Sequence, residues 1–264
     1  MSDLMKVYCI NLDRRPDRLE HMTEQFERLG IDFIRVPAVD GQDTEVRAAA
    51  SDCKTGFTGK KLGAGAYACF QSHRRAWSLL LESGDSHAVM LEDDVLVSDG
   101  LSECLTDGFF SETADVVKIE TFMTRVHLKA ENSCNRGPRQ LKRLITGHMG
   151  AGGYILSSGI ARALLKQTET IAVPVDHFLF NPISIKQLGL QVYQMTPAPV
   201  AQGDRILSDS AQWAESSITS DRFVSDQDWV ATNKRSLSNR LRCRLREEIR
   251  AIRQGTRYAV VPFG

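Results

Sequence analysis

The residues best suited to chemistry close the run Ala88-Val89-Met90-Leu91-Glu92-Asp93-Asp94, in which an apolar segment ends in three consecutive acids. A buried strand would deliver such acids to its C-terminal end, where open α/β sheets bind their ligands. Side chains alternate along a strand, so Glu92 and Asp94 are expected to point together and Asp93 away. Two carboxylates in one cleft raise each other's pKa. A hard divalent cation relieves that repulsion, because such ions favour carboxylate oxygens. The same ion can bridge the phosphates of a nucleotide-sugar and stabilise a departing diphosphate as a Lewis acid. A solvated acidic turn capping a following helix is the plainer alternative. The buried strand just ahead of the triplet favours the site.

Further candidates flank the triplet. Ile10-Asn11-Leu12-Asp13-Arg14-Arg15-Pro16-Asp17-Arg18 directly follows a first strand. Arg14, Arg15 and Arg18 offer planar, permanently charged donors suited to a diphosphate, while Asn11 and Asp13 suit a base or ribose. A helix start with Asp13 or Asp17 as N-cap explains the same residues without a ligand. The small residues from Gly63 to Ala68 would let backbone approach a ligand closely. His73 beside Ser72 is placed to meet phosphate or sugar, although a lone helical histidine more often packs or caps. The segment Thr146 to Tyr154 holds four glycines and suits a loop that touches or covers a donor, with Gly152 and Gly153 as contacts. A tight turn needing positive φ is its alternative. Asp176 is the candidate general base for an acceptor hydroxyl, or simply an N-cap.

The elements that must position these groups read as strands alternating with helices. Val7–Ile10, Phe33–Val36, Ala88–Leu91, Val116–Ile119, Gly152–Leu156 and Leu190–Met195 are β-prone; Asp17–Gly30, Ala64–Glu82 and Ile160–Gln167 are helical. That order predicts an α/β fold on a mainly parallel sheet. About Asp40 to Gly63 reads as loop. The 264 residues, 42% hydrophobic and 25% charged, suit one packed domain with an appendage.

In order along the chain, these motifs resemble glycosyltransferase family 25, the lipooligosaccharide galactosyltransferase group. The matching residues are Ile10 to Arg14 with Arg18, Gly65 to His73 with Trp77, Leu91 to Val95, Gly150 to Tyr154 and Pro174-Val175-Asp176. They span about Lys6 to Gln202. Gln71 stands where an apolar residue is usual, and the segment after Gln202 matches poorly. The resemblance implies a GT-A nucleotide-sugar-binding fold with a Rossmann-like mixed sheet. It also implies a UDP-sugar donor (often UDP-galactose), Mn²⁺ or Mg²⁺, and inversion at the anomeric carbon. Carried onto this sequence, Glu92 and Asp94 hold the metal and Asp94 and Asp176 serve catalysis. Asn11, Asp13, Arg14, Arg18, His73, Glu92, Asp93, Gly152 and Gly153 meet the donor.

Charge divides the chain. Residues 231–264 carry nine Lys or Arg against Glu247 and Glu248, a balance of +7, so the first 230 residues carry −7. Leu237, Leu241, Leu245, Ile249 and Ile252 recur at helical spacing among arginines, as in an amphipathic helix with a basic face. We expect a catalytic domain over 1–203, a polar surface or mobile segment over 204–230, and a basic amphipathic tail over 231–264. The tail's expected partner is an anionic membrane surface, next to a glycolipid or oligosaccharide acceptor. No aromatic stacking pattern accompanies the arginines, so nucleic acid is not expected. Six cysteines without a C-x-x-C pair, no leader-like start and no apolar run of membrane-spanning length predict a cytoplasmic protein, peripheral at the inner face of the membrane. A catalytically idle nucleotide-sugar scaffold and a metal-dependent phosphohydrolase are the rival readings.

Overall fold

The computed structural model describes residues 4–105, 114–129, 134–136, 138–203, 248 and 250–264. It opens with β1 (Lys6–Asn11), buried from Val7 onward. Helix α1 (Pro16–Leu29) follows. Pro16 supplies a first-turn φ already suited to a helix, and Gly30 ends it at φ 63°, a left-handed conformation glycine adopts without strain. Arg18, Met22 and Phe26, spaced by four, form its buried stripe. After β2 (Ile34–Pro37), the stretch expected as loop contains helix α2 (Thr44–Ser51), carried by the helix propensity of its three consecutive alanines. Helix α3 (Ala64–Ser83) and β3 (His87–Glu92) complete this half.

Shorter strands follow: β4 (Val95–Val97), β5 (Val116–Lys118), β6 (Glu120–Thr121), β7 (Arg125–Lys129), β8 (Cys134–Arg136) and β9 (Arg139–Arg143), with the turn-length helix α4 (Leu101–Cys104) after β4. Then come β10 (Gly153–Ser157), α5 (Ser158–Gln167), α6 (Val175–Phe180), α7 (Pro182–Leu188), β11 (Val192–Thr196), β12 (Val200–Gln202) and, far along the chain, β13 (Thr256–Val260).

One sheet has the order β2-β1-β3-β10-β5-β11-β9-β8. Strand β1 is parallel to β2 and β3, and β5 is parallel to β11. Strand β10 runs antiparallel to both its neighbours, as β9 does to β11 and β8. The sheet is therefore mixed rather than mainly parallel. Strand β10 is entered from the glycine loop and not from a crossover helix, so nothing obliges it to run parallel. Alternation along the strands divides the core into two layers. Val7, Cys9, Val89 and Leu91 pack with Met22 and Phe26 of α1; Tyr8, Met90 and Tyr154 pack with Phe70 and Trp77 of α3. Because α1 and α3 lie on opposite faces, the chain's winding reverses between β1 and β3. A crevice opens beyond their C-terminal ends.

The final described residues return to this body. Strand β13 pairs antiparallel with β7, Thr121 Oγ1 donates to the Val261 carbonyl at 2.7 Å, and Val261 is fully buried. Of the expected apolar stripe, Leu237, Leu241, Leu245 and the side chain of Ile249 lie outside the described residues, as does 204–230. Ile252 is 71% exposed and its neighbour Ala251 is buried. Among the described residues, no helix is long and apolar enough to cross a membrane.

Candidate active site

The crevice between β1 and β3 contains a cavity of about 220 Å³. Ile10, Leu12, Glu92, Asp93 and Asp94 bring the strand ends to it. One wall is the 38–42 segment, and the facing wall is the first half of α3 from Gly65 to His73. The two walls touch closely. A Cβ on Gly41 would lie 2.9 Å from Gly65 Cα, and Val39 N donates to Ser72 Oγ at 2.8 Å. Small residues here serve wall-to-wall contact, and the Ser72 hydroxyl is a structural tie. Arg14, Arg18 and Arg47 bring positive charge to the same space.

The three acids part company. Glu92 ends β3 and faces α3, where its Oε1 lies 3.1 Å from His73 Nε2 and 3.6 Å from Cys69 Sγ. Asp93 turns toward α1. Its Oδ1 accepts from Arg18 Nη1 at 3.0 Å and its Oδ2 from Asn11 Nδ2 at 2.7 Å. Strand alternation stops at Glu92 because the strand stops there, so Asp94 stands in the turn and shares Arg18 with Asp93, at 3.2 Å from Oδ2. The other oxygen of Asp94, Oδ1, is buried without a hydrogen-bond partner.

Electrostatics follow from this geometry. Burial first, and the Glu92 carboxylate second, raise Asp94 to about 7, while Arg18 acts against them. Burial also pushes Glu92 up, but its pairing with the His73 ring outweighs it and leaves Glu92 below its ordinary value. One acid is thus held as an anion and the next is poised near neutrality.

Arg14, Arg18, His73 and all three acids of the triplet come together around the cavity, with Arg14 Nε paired to Asp40 Oδ2 at 2.7 Å. Asn11 and Asp13 do not line it. Arg35 Nε donates to Asn11 Oδ1 at 2.9 Å, and exposed Asp13 also pairs with Arg35. Asn11 belongs to the framework behind Asp93, and Asp13 is joined to it only through Arg35. Gly152 and Gly153 face protein: a Cβ on Gly152 would lie 2.6 Å from Gln202 Nε2, and one on Gly153 would lie 3.0 Å from Val200 Cγ1. Asp176 is buried outside the cavity wall, accepting from Gly150 N at 3.0 Å and His177 N at 2.8 Å. Its charge nevertheless acts on Glu92 and Cys69.

Sequence reasoning misses a second charged group. Lys118 and Glu120 are both fully buried, with Lys118 Nζ 2.6 Å from Glu120 Oε2 and 2.6 Å from the Gly150 carbonyl. Glu120 also accepts from Gly152 N at 3.2 Å and Gln202 Nε2 at 2.8 Å. Lys118 Nζ stands 4.4 Å from the Phe180 ring centroid. The available signal is a lysine and an acid two apart within Val116-Val117-Lys118-Ile119-Glu120, which strand spacing would bring to one face.

Comparison with known proteins accords with this arrangement. The sequence model described as Glycosyltransferase family 25 (LPS biosynthesis protein) matches residues 5–179, a span that includes the cavity acids, the Lys118–Glu120 pair and Asp176. The Lacto-N-neotetraose biosynthesis glycosyltransferase LgtE of Neisseria gonorrhoeae is 27% identical over 209 residues, covering 75% of this chain and 74% of that protein. The Lipooligosaccharide biosynthesis protein lic2B of Haemophilus influenzae is 23% identical over 205 residues, covering 74% and 75%. Among solved structures, a glycosyltransferase involved in the glycosylation of the major capsid of PBCV-1 covers 76% of this chain and 92% of its own, at 9% identity and a TM-score of 0.40. With two thirds of its length matched by the family's own pattern, the chain belongs to glycosyltransferase family 25 and is a glycosyltransferase.

Proposed function

We propose that this enzyme transfers a sugar, galactose in the first instance, from a UDP-sugar to a lipooligosaccharide or related glycan acceptor, with inversion and dependence on Mn²⁺ or Mg²⁺. The observation that carries the reading is Asp94, whose Oδ1 is buried without a partner beside the second carboxylate of Glu92 at the cavity. An unpartnered carboxylate oxygen next to another acid fits a hard cation. Glu92 and Asp94 would hold the ion, which when bound supplies Lewis-acid stabilisation of the leaving diphosphate.

The chain's own residues do the rest. Arg18 limits repulsion between Asp93 and Asp94 and keeps the turn in place. Arg14 and Arg47 offer donors for nucleotide phosphates from the cavity wall. Of the acids around the site, Asp93 is committed to Arg18 and Asn11, and Glu120 to Lys118. Asp176 accepts from two backbone amides, its field reaches Glu92, and we assign it to accept the proton of the acceptor hydroxyl. Attack from the face opposite the leaving group inverts the anomeric carbon. The names of LgtE and lic2B support the glycan acceptor. The basic residues of 231–264 support a peripheral place on an anionic leaflet.

The test is UDP release from a panel of UDP-sugars with Mn²⁺ or EDTA, comparing wild type with Asp94→Ala. Slow hydrolysis of one donor is expected, abolished by EDTA and reduced on the order of 10³-fold by the substitution, consistent with losing several kcal/mol of charge stabilisation. Turnover that ignores both EDTA and Asp94→Ala would overturn the metal reading.

A further inference from the structure

Three fully buried side chains run from the interior of the α3 layer to the cavity. Trp77 Nε1 lies 2.8 Å from Tyr154 Oη, Tyr154 Oη 2.8 Å from His73 Nδ1, and His73 Nε2 3.1 Å from Glu92 Oε1. Cys69, His73 and Trp77 are spaced by four on one face of α3. Tyr154 comes from β10, opposite Met90 of β3.

Chemistry fixes the direction of this chain. An indole N–H can only donate, so Tyr154 Oη accepts from Trp77. Among the described residues, His73 Nδ1 is the acceptor recorded for the hydrogen of that hydroxyl, and a buried hydroxyl hydrogen without an acceptor costs about 1–3 kcal/mol. Nδ1 is therefore the unprotonated nitrogen, and Nε2–H donates to Glu92 Oε1. The same reasoning bears on a second arrangement. Cys69, His73 and Glu92 offer ligand atoms within 4.8 Å of one another, near enough to surround a soft cation. With its proton on Nε2, however, His73 has no lone pair there to give a metal.

We propose that Trp77 and Tyr154 are positioning residues that act through His73 on Glu92. They commit Glu92 Oε1 to the histidine and leave Oε2 as the oxygen for the cavity cation. This rests on the reading of Glu92 as a ligand of that cation. Outer groups that orient a ligand typically contribute 10–100-fold to metal affinity.

The decisive measurement is Mn²⁺ affinity of the full chain without donor, read from free Mn²⁺ by electron paramagnetic resonance, with thermal unfolding followed in parallel. Tyr154→Phe keeps the ring and removes the relay, and is expected to weaken Mn²⁺ by about 10–100-fold. Excess Mn²⁺ should then restore kcat, so the defect appears in the metal requirement. His73→Gln supplies an N–H toward Glu92 without needing Tyr154, so adding Tyr154→Phe to it should cost no further Mn²⁺ affinity. Should Tyr154→Phe not fold, His73→Gln against His73→Ala decides. Glutamine is expected to keep at least about tenfold more affinity than alanine, and equal affinities overturn the relay. Wild-type Mn²⁺ binding by folded Tyr154→Phe, alongside loss of binding by Glu92→Gln, overturns the relay and leaves the metal site standing. Wild-type binding by Glu92→Gln removes the metal reading, and the relay with it.

Discussion

Two acidic groups lie near the C-terminal ends of the sheet strands, and the protein treats them in opposite ways. Glu120 faces a lysine of its own, two backbone or side-chain amide donors, and no solvent. Asp94 has a share of one arginine, an oxygen that nothing satisfies, and a cavity beside it. Burial alone does not distinguish them, since desolvation raises both acids. What separates them is whether the fold itself supplies the counter-charge. Where it does, the charge fixes architecture: Lys118 and Glu120 hold the Gly150–Gly152 backbone. Where it falls short, an acid oxygen is left buried beside a cavity, which is where the proposed cation would sit.

The contrast can be broken most forcefully at Lys118. Lys118→Met leaves Glu120 as an uncompensated buried charge and should destabilise the protein by about 3–5 kcal/mol in urea unfolding. Adding Glu120→Leu should recover part of that loss. Asp94→Ala, by comparison, should leave stability unchanged or higher while removing turnover. A large stability loss at Asp94 and none at Lys118 would reverse the assignment of the two groups.

A smaller effect is expected at Gly152, whose added Cβ would come within 2.8 Å of Glu120 Oε1 and 2.9 Å of Val95 Cγ1. Gly152→Ala should cost about 1–3 kcal/mol by overpacking, measured as a lowered Tm. Mn²⁺ affinity should be unaffected, because this glycine belongs to the closed group. A specific loss of Mn²⁺ or donor affinity would return Gly152 to the binding site.

The gentlest probe is pH. Asp94 is raised to about 7 when folded, above its ordinary carboxylate value, so folding favours its protonated form. Its contribution to stability without metal is present at low pH and is lost as pH rises through about 7. Metal binding has the opposite dependence, since the ion must displace that proton. Mn²⁺ affinity should therefore fall by about tenfold per pH unit below 7, near 1.4 kcal/mol per unit, as titration calorimetry would read. A flat profile between pH 5 and 7 would remove Asp94 from the ligand set.

What the sequence discloses depends on how local the cause is. Strand β3 and its triplet are legible because an apolar run and three acids are adjacent in the chain. Helix α1 is legible because Pro16 and Gly30 punctuate it. Strand β9, reading Arg-Gln-Leu-Lys-Arg, carries no apolar signature, and its place beside β11 comes from packing. The run of β10 against β3 depends on the path of the preceding chain. That Glu92, Arg18 and His73 come together at one cavity could be read from motif and position. The packing of Asn11, Gly152 and Gly153 could not, since each meets a partner 24 to 82 residues away, such as Arg35 for Asn11 or Asp93 across the strand ends. The Lys118–Glu120 pair was visible only as an oddity in an apolar strand.

The return of the chain's end has a consequence for how the molecule is made. Arg125 lies opposite Val260 and Lys129 opposite Thr256, so the β7–β13 ribbon joins segments more than a hundred residues apart. Chains fold from the N-terminus as they are synthesised, and contacts of high sequence separation are slow to form. The edge around Thr121 therefore stays open on the ribosome until Val261 emerges to cover it. A nascent chain stalled after residue 203 would hold the acids of the cavity yet lack the strand that pairs with β7. For the same reason, removing residues 237–264 to probe membrane attachment would strip a core residue, Val261, as well.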